Sequence, residues 1–438
     1  MDWHVSEALL QQFISGTAGQ EENRRIVRHL LHGCRQCWGL VSLTWMGKGA
    51  EEADYELAFA EARRFATELE EQLAIEKLRG WAQWSALEPL DPAARIAIVR
   101  SQPAYQTLGL YERLLEAAKW YQRRDPVEAV DVVQLALVVA EHIPSLSGTK
   151  RADLRATTWA HLSNAYRLAS NFDSAREAIN FAWKIYEEES SQDGVDRALI
   201  ISLEASYLND MGEFEAAEAN LEGALQVYRL LQDEHSQGRT LIQMGDIIGH
   251  VQPERGIQLL RRGLALISPV VEPRLELCAQ HDLAWFTCEL GKPEDALGIL
   301  ERARPLYGLY PDSQTQLRLH WLEGRIVFRL GQLEEARHVF ARVWDEFQVR
   351  DFKQEMVLVA IDFAEVLALQ GDVREAARLV RQVHAIMANW QIHLDALAAW
   401  LYFWRLLEGG RAHDIFSKLR LYYQRHWHRA ETFEETEY

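Results

Sequence analysis

The chain has 438 residues, of which 48% are hydrophobic and 26% charged, a composition typical of soluble folded domains. Its formal net charge of -18 argues against nucleic acid and against an anionic membrane surface as partners, because both are bound by clustered Lys and Arg. No segment reaches the roughly 18 apolar residues needed to span a bilayer. Glycine (25) and proline (11) are scarce, which favours helix. The four cysteines, and an N-terminus without a signal-peptide pattern, predict a cytoplasmic location.

The first fifty residues carry cysteines and histidines at a spacing typical of a zinc site. Cys34 and Cys37 form a Cys-x-x-Cys turn, and His29 ends the helical pattern QEENRRIVRHLL before it. His4 lies 25 residues upstream of His29 and returns beside it if two helices form a hairpin. Four Cys and His ligands without an open position are what a structural zinc ion needs. We therefore predict Zn²⁺ bound by His4, His29, Cys34 and Cys37, with His32 as a rival to His29.

This arrangement resembles the zinc-binding module of the anti-sigma family, in which an early His or Cys precedes His-x3-Cys-x2-Cys and a short apolar helix, here WGLVSLTWM. The spacing departs from that pattern, because His29 and Cys34 are separated by four residues. Two alternatives stay open: a dithiol redox pair, and two thiols that bind no metal. A redox pair usually lies at a helix N-terminus in a βαβ context, and no strand pattern is visible here.

Residues 51–103 predict a helical connector. The stretch EEADYELAFAEARRFATELEEQLAIEKLRGWAQW has the pattern of one long helix, and PAARIAIVRS that of a shorter one. The connector is interpreted as a cap on the first repeat, since terminal repeats need a modified outer face. The alternative is an amphipathic helix that binds a partner, like the helix that follows the zinc module in anti-sigma factors.

Residues 104–428 contain an internal repeat with a period of about 40. Six stretches align, with starts separated by 42, 39, 40, 40 and 40 residues, and a weaker copy begins at Arg124. Each has a turn residue, often Gly, followed five positions later by a small residue that allows close helix packing. The helix before each turn has its own small residue seven positions earlier. In the copy that begins at Val251 this residue, Gly245, is one position out of register, which suggests a short deletion.

The aromatic, leucine, small, aromatic pattern of Trp159, Leu162, Ser163 and Tyr166, with Ala175 after the turn, resembles the tetratricopeptide repeat (TPR). The resemblance covers about 320 residues. It implies an all-α fold in which seven to eight helix pairs stack into a right-handed α-solenoid. The usual period of that family is 34, and HEAT-type repeats, with a period of ~40 to 47, are the alternative.

The resemblance also implies a concave face lined by the first helix of each pair, where relatives bind a peptide or protein. Asparagine at such positions grips the partner's backbone in those relatives. The matching positions of this sequence are Asn164, Arg167, Ser206, Asn209, His281, Trp285, Arg325 and Phe328.

Enzyme motifs for phosphate loops, nucleophile elbows, zinc proteases and dinucleotide binding are absent from the sequence. We therefore expect no catalytic residues, although Cys278, His281 and Cys288 share one helical stripe on which a hydrolase could be built. The acidic end, residues 429–438, is expected to be a tail.

Three functions follow from these patterns. The first is a non-enzymatic regulatory scaffold that binds a protein or peptide, such as an effector enzyme, through the concave face. The second is an anti-sigma-like regulator that sequesters a sigma factor through residues 1–86. The third, a hydrolase, lacks a visible pairing of nucleophile and base.

Overall fold

The computed structural model describes residues 4–14, 17–31, 36–37, 39–40, 52–122, 124–350, 353–388, 394–408, 415–426 and 433. The chain divides into two compact units, Met1–Glu76 and Lys77–Tyr438. All regular structure in the described ranges is helical, with no strand. None of the described helices is both long and apolar enough to cross a bilayer.

The first unit contains the predicted helical hairpin. Its helices are α1 (Glu7–Ile14) and α2 (Gln20–Leu31), which contact each other, and it includes the start of α3 (Glu52–Leu87). A small core forms from buried Val5, Leu10, Ile26 and Cys37. The apolar helix predicted after Cys37 lies largely outside the described residues, as do Cys34 and His32.

The second unit begins within α3, which matches the long helix predicted for the connector, and continues through α4 (Pro92–Ser101) and a 3-10 turn (Pro103–Tyr105). Helix α4 matches the predicted PAARIAIVRS segment. Eight helix pairs follow in the described residues: α5 (Leu108–Tyr121) and α6 (Pro126–His142), α7 (Gly148–Leu168) and α8 (Phe172–Glu188), α9 (Gly194–Asp210) and α10 (Phe214–Leu230), α11 (Glu234–Gly249) and α12 (Pro253–Leu264), α13 (Pro273–Glu289) and α14 (Pro293–Gly308), α15 (Ser313–Arg329) and α16 (Leu333–Arg350), α17 (Lys353–Leu369) and α18 (Val373–Met387), α19 (Leu394–Glu408) and α20 (Ile415–His426).

Small residues set the spacing within each pair. Those that follow the turn are all buried: Ala129, Ala175, Ala217, Gly256, Ala296, Ala336 and Ala376. Their counterparts on the first helices are buried as well, and the Ser163 hydroxyl donates to the Ala175 carbonyl at 2.8 Å. A Cβ added to Gly324 would approach the Phe340 ring to 2.8 Å. The predicted pattern of small residues is therefore the packing surface between paired helices.

In most helix pairs, the turn between the two helices contains one residue in the left-handed backbone conformation, with a positive φ. Gly291 has φ +70°, and its N–H donates to the Cys288 carbonyl while the next N–H reaches back to Thr287. Gly212, Gly331 and Gly371 also have positive φ, which glycine adopts without a steric penalty. The turn after α11 has no such residue, and the Gln252 N–H instead reaches only four residues back, to Ile248. This tighter turn accounts for the register shift of Gly245.

Candidate functional site

First helices of consecutive pairs line a cavity of about 330 Å³ in the second unit. Six first helices each contribute at least one side chain to its wall: α7, α9, α11, α13, α15 and α17. First helices also contact the first helix of a neighbouring pair, as α13 does with α11 and α15. The cavity is therefore a feature of the stacked first helices, the elements that the sequence assigned to the concave face.

Five of the eight residues predicted for the concave face line this cavity: Arg167, Ser206, Asn209, His281 and Trp285. Ser206 is held by the Gln243 amide, which donates to its hydroxyl at 3.0 Å. The side-chain amide of Asn209 has no hydrogen-bond partner in the part of the chain that the structure describes, and it is partly exposed. The residues brought together here come from α7, α9 and α13, so the stacking collects positions that are 118 residues apart at most.

The other three predicted residues are not part of the cavity wall. Asn164 accepts two hydrogen bonds from the Arg167 guanidinium, at 3.1 and 2.8 Å, and so positions that arginine. Phe328 is partly buried against the hydrophobic core. Arg325 is only 4% exposed, because acidic side chains on neighbouring first helices draw its guanidinium inwards.

Two tryptophans form an aromatic wall of the cavity. Trp285 and Trp321 are 7% and 6% exposed, and their rings meet edge to face with centroids 4.9 Å apart. The Arg325 guanidinium lies 4.4 Å from the Trp285 ring centroid. Trp321 was not predicted as a site residue, although it lies one helical turn before Arg325 on the same stripe.

A buried ionic network stands behind this wall, centred on Asp362 of α17. Its carboxylate accepts hydrogen bonds from Trp321 Nε1 at 2.7 Å, from Arg325 Nη1 at 2.9 Å and from Arg420 Nε at 2.9 Å. Burial alone would raise the pKa of Asp362, but Arg325 and Arg420 hold it below its ordinary value. Arg420 of α20 also donates to Glu365 at 2.9 Å. The network therefore ties the last helix pair to the residues that form the cavity wall.

Charged side chains in the cavity form two ion pairs. Arg167 Nη1 lies 2.6 Å from Asp210, and Arg318 Nη2 lies 2.9 Å from Glu355. His281 is held by the Tyr307 hydroxyl, 2.7 Å from its Nδ1. Burial, with a smaller contribution from Arg318, lowers the pKa of His281 to about 3, so its ring is neutral at neutral pH.

Cys288, on the same helix as His281, has little nucleophilic character. Burial raises the pKa of Cys288 to about 11, which disfavours the thiolate. Cys278 is exposed, but the Nδ1 atom of His281 faces Tyr307.

The first unit brings together three of the four predicted metal ligands. Ligand atoms of His4, His29 and Cys37 all lie within 4.8 Å of one another. Cys37 Sγ is 3.2 Å from His29 Nε2 and 3.7 Å from His4 Nδ1. Zinc–nitrogen bonds of about 2.0 Å and zinc–sulfur bonds of about 2.3 Å at tetrahedral angles place ligand atoms roughly 3.5 Å apart. The three residues therefore fit a zinc ion. The rival ligand His32 lies outside the described residues, so the choice of His29 stays a prediction.

No protein-family model matches the chain, and no curated protein does. Solved structures match it by fold. A Rap protein complexed with Competence and Sporulation Factor is 14% identical, with a TM-score of 0.55 over 68% of this chain and 80% of that chain. Aspartyl phosphate phosphatase F from Bacillus subtilis is 15% identical (TM-score 0.48; 88% of this chain, 96% of that chain). A signal transduction ATPase with a tetratricopeptide repeat sensor, from Pyrococcus horikoshii, is 17% identical (TM-score 0.43; 85% and 53%). The similarity to the Rap protein, together with the consecutive packing of the helix pairs, confirms the predicted fold class, an all-α solenoid of TPR-like helix pairs.

Proposed function

We propose that the protein is a non-enzymatic regulatory scaffold that binds a peptide or a peptide segment of a protein in the cavity of the second unit. The observation that carries this proposal is the cavity itself, about 330 Å³ in volume and built by consecutive first helices. A volume of this size is typical of ligand sites, and most of the residues that line this cavity are polar or charged. The Rap protein of similar fold is complexed with Competence and Sporulation Factor, which supports a binding role for such a solenoid.

The chemistry of the wall suits an extended peptide. The Asn209 amide offers one donor and one acceptor group without a partner among the described residues, which matches the backbone N–H and C=O of a bound chain. Trp285 and Trp321 offer a rigid apolar surface, and buried aromatic residues dominate the energetics of interfaces. The neutral His281 and the raised pKa of Cys288 support binding in preference to catalysis.

The N-terminal module completes the proposal as a zinc-stabilised interaction element. His4, His29 and Cys37 would bind Zn²⁺ with Cys34 as the predicted fourth ligand, although Cys34 lies outside the described residues. Four filled positions leave none for substrate, so the ion would supply folding energy for a module whose apolar core is small.

Site-specific photocrosslinking in the native host tests the binding site. A photoreactive residue in place of Asn209 should crosslink a partner. The control places the same residue at Ala219, which is exposed on α10, and should not crosslink that partner. The wild-type protein should retain the identified partner in solution, and Asn209→Ala should weaken that complex. Equal crosslinking at the two positions, or none at Asn209, would contradict a partner in the cavity.

The anti-sigma alternative is favoured by one observation, the exposed apolar residues of α3. Leu78 is 70% exposed and Trp81 51% exposed, three positions apart on one side of the helix. If a sigma factor is the partner, the full chain should retain it, and Leu78→Glu should abolish retention while Asn209→Ala leaves it unchanged. The opposite pattern supports the cavity.

A further inference from the structure

The charges that line the cavity do not balance. The wall contains two arginines, Arg167 and Arg318, but four carboxylates. The arginines are engaged with Asp210 and Glu355, in the ion pairs described above. Asp246 of α11 and Asp282 of α13 remain, so the cavity has two more carboxyl groups than arginines.

Neither of these carboxylates has a hydrogen-bond partner within the described ranges. His250 Nε2 lies 3.8 Å from Asp246, which is too far for a hydrogen bond. Asp282 has no ion pair with any described residue either, and it keeps only part of its surface exposed. Burial, and then the negative charge of Asp246, raise the pKa of Asp282 well above its ordinary value, against the opposing effect of Arg318. Asp282, whose charge is disfavoured, and the carboxylate of Asp246 therefore face one cavity.

We infer that the partner of this cavity is a peptide that places a lysine or arginine side chain between Asp246 and Asp282, an inference that rests on the proposed function. A guanidinium or ammonium group would supply the donors that both carboxylates lack. Its aliphatic stem would pack on Trp285 and Trp321, which line the same cavity.

Other ligand classes fit less well. An anion would meet two uncompensated carboxylates, and the nearby arginines are already engaged. Calcium takes six to eight oxygen ligands at about 2.3–2.6 Å, which requires carboxylates converging on one point. Among the described residues, the group of His4, His29 and Cys37 is the one set of three or more potential ligands close enough for a metal, so Asp246 and Asp282 do not form such a set. A basic side chain has several N–H donors on its head group, so it can donate to two carboxylates that do not converge on one point.

The test uses the full chain and a positional-scanning library of acetylated hexapeptide amides. Peptides retained by the wild-type protein should be enriched in Lys or Arg at one position. The best arginine peptide is then compared with its citrulline analogue, or the best lysine peptide with norleucine, by calorimetric titration. The wild-type protein should bind the basic peptide about 10- to 100-fold more tightly, the range expected for hydrogen bonds to charged groups.

The affinities for the basic peptide and its neutral analogue are then compared on the double variant Asp246→Asn/Asp282→Asn, which completes a double-mutant cycle. This double variant should bind both peptides with similar affinity, whereas Asp295→Asn, exposed on α14 and outside the cavity, should keep the full preference. A preference that persists in the double variant, or that is absent in the wild type, overturns the inference. If wild-type binding shows no preference but is lost in Asn209→Ala, the proposed function stands without this inference. If the wild type retains no peptide, both fail.

Discussion

Replacing Asp362 by asparagine tests whether the buried network supports the cavity wall. The substitution keeps the size of the side chain but removes the charge that Arg325 and Arg420 share. Losing one partner of a buried ionic group costs about 3–5 kcal/mol. Arg325 keeps Glu289 and Arg420 keeps Glu365, so the lower end of that range, about 3 kcal/mol, is expected.

Hydrogen exchange measured by mass spectrometry is the suitable assay, because long repeat arrays need not unfold in one step. A loss of about 3 kcal/mol corresponds to exchange roughly a hundredfold faster in peptides from α15, α17 and α20. Peptides from α5 and α6 should be unaffected. The control Asp345→Asn, exposed on α16, should change exchange little. Exchange in α15 and α17 that matches this control would refute the idea that Asp362 holds the wall.

The pH dependence of the same variant has a defined sign. The pKa of Asp362 is lower in the folded protein than its ordinary 3.8, since the two arginines outweigh burial. Its stabilising contribution is therefore complete above about pH 4 and is lost as the pH falls through the folded pKa. The difference between wild type and Asp362→Asn should be the same at pH 7 and pH 5, and should shrink only in stronger acid.

Three further outcomes are expected. The purified protein should contain about one zinc ion per chain by elemental analysis, which Cys37→Ser should lose and the exposed Cys278→Ser should keep. Asp282→Asn should raise the melting temperature at pH 8 more than at pH 5, because a raised folded pKa makes ionisation destabilising as the pH rises; equal shifts would contradict this. Gly256→Ala should destabilise the array by several kcal/mol in thermal or chemical denaturation, since the new Cβ would lie 2.4 Å from the α11 backbone. Gly298→Ala, whose Cβ meets only the end of an arginine side chain, should instead stabilise by about 0.5–1 kcal/mol.

The array could be predicted from the sequence because its packing is local. A small residue on each side of a short turn places two helices in contact, and both positions recur at a nearly constant spacing. Ala175, Ala296 and Ala376 are fully buried as that pattern predicts. Even the exception at Gly245 was visible, because a tighter turn changes the count of residues between the two small positions.

The cavity could be predicted only in part, because its chemistry depends on how neighbouring pairs stack. The positions of Arg167, Asn209 and Trp285 could be predicted from the concave positions of tetratricopeptide repeats. The residues on other helices with which such side chains form hydrogen bonds and ion pairs could not. Arg325 occupies such a position and is nevertheless buried, because Asp362 lies opposite it on the next first helix but 37 residues later. One signal was present: the apolar run MVLVAIDFAEVLAL contains two carboxylates, Asp362 and Glu365, and an acid buried in such a run needs a cationic partner.

The cavity and the buried network divide the carboxylates of the first helices into two classes. Asp362 has arginine partners and a lowered pKa, so its charge stabilises the fold. Asp282 has neither an ion pair nor a hydrogen bond with the described residues, and its pKa is raised, so its charge opposes folding. A group that costs stability without a structural partner is typical of a binding site, where the ligand supplies what the fold lacks. The same helices thus carry Asp362, which stabilises the wall, and Asp282, to which the basic side chain of the proposed partner would bind.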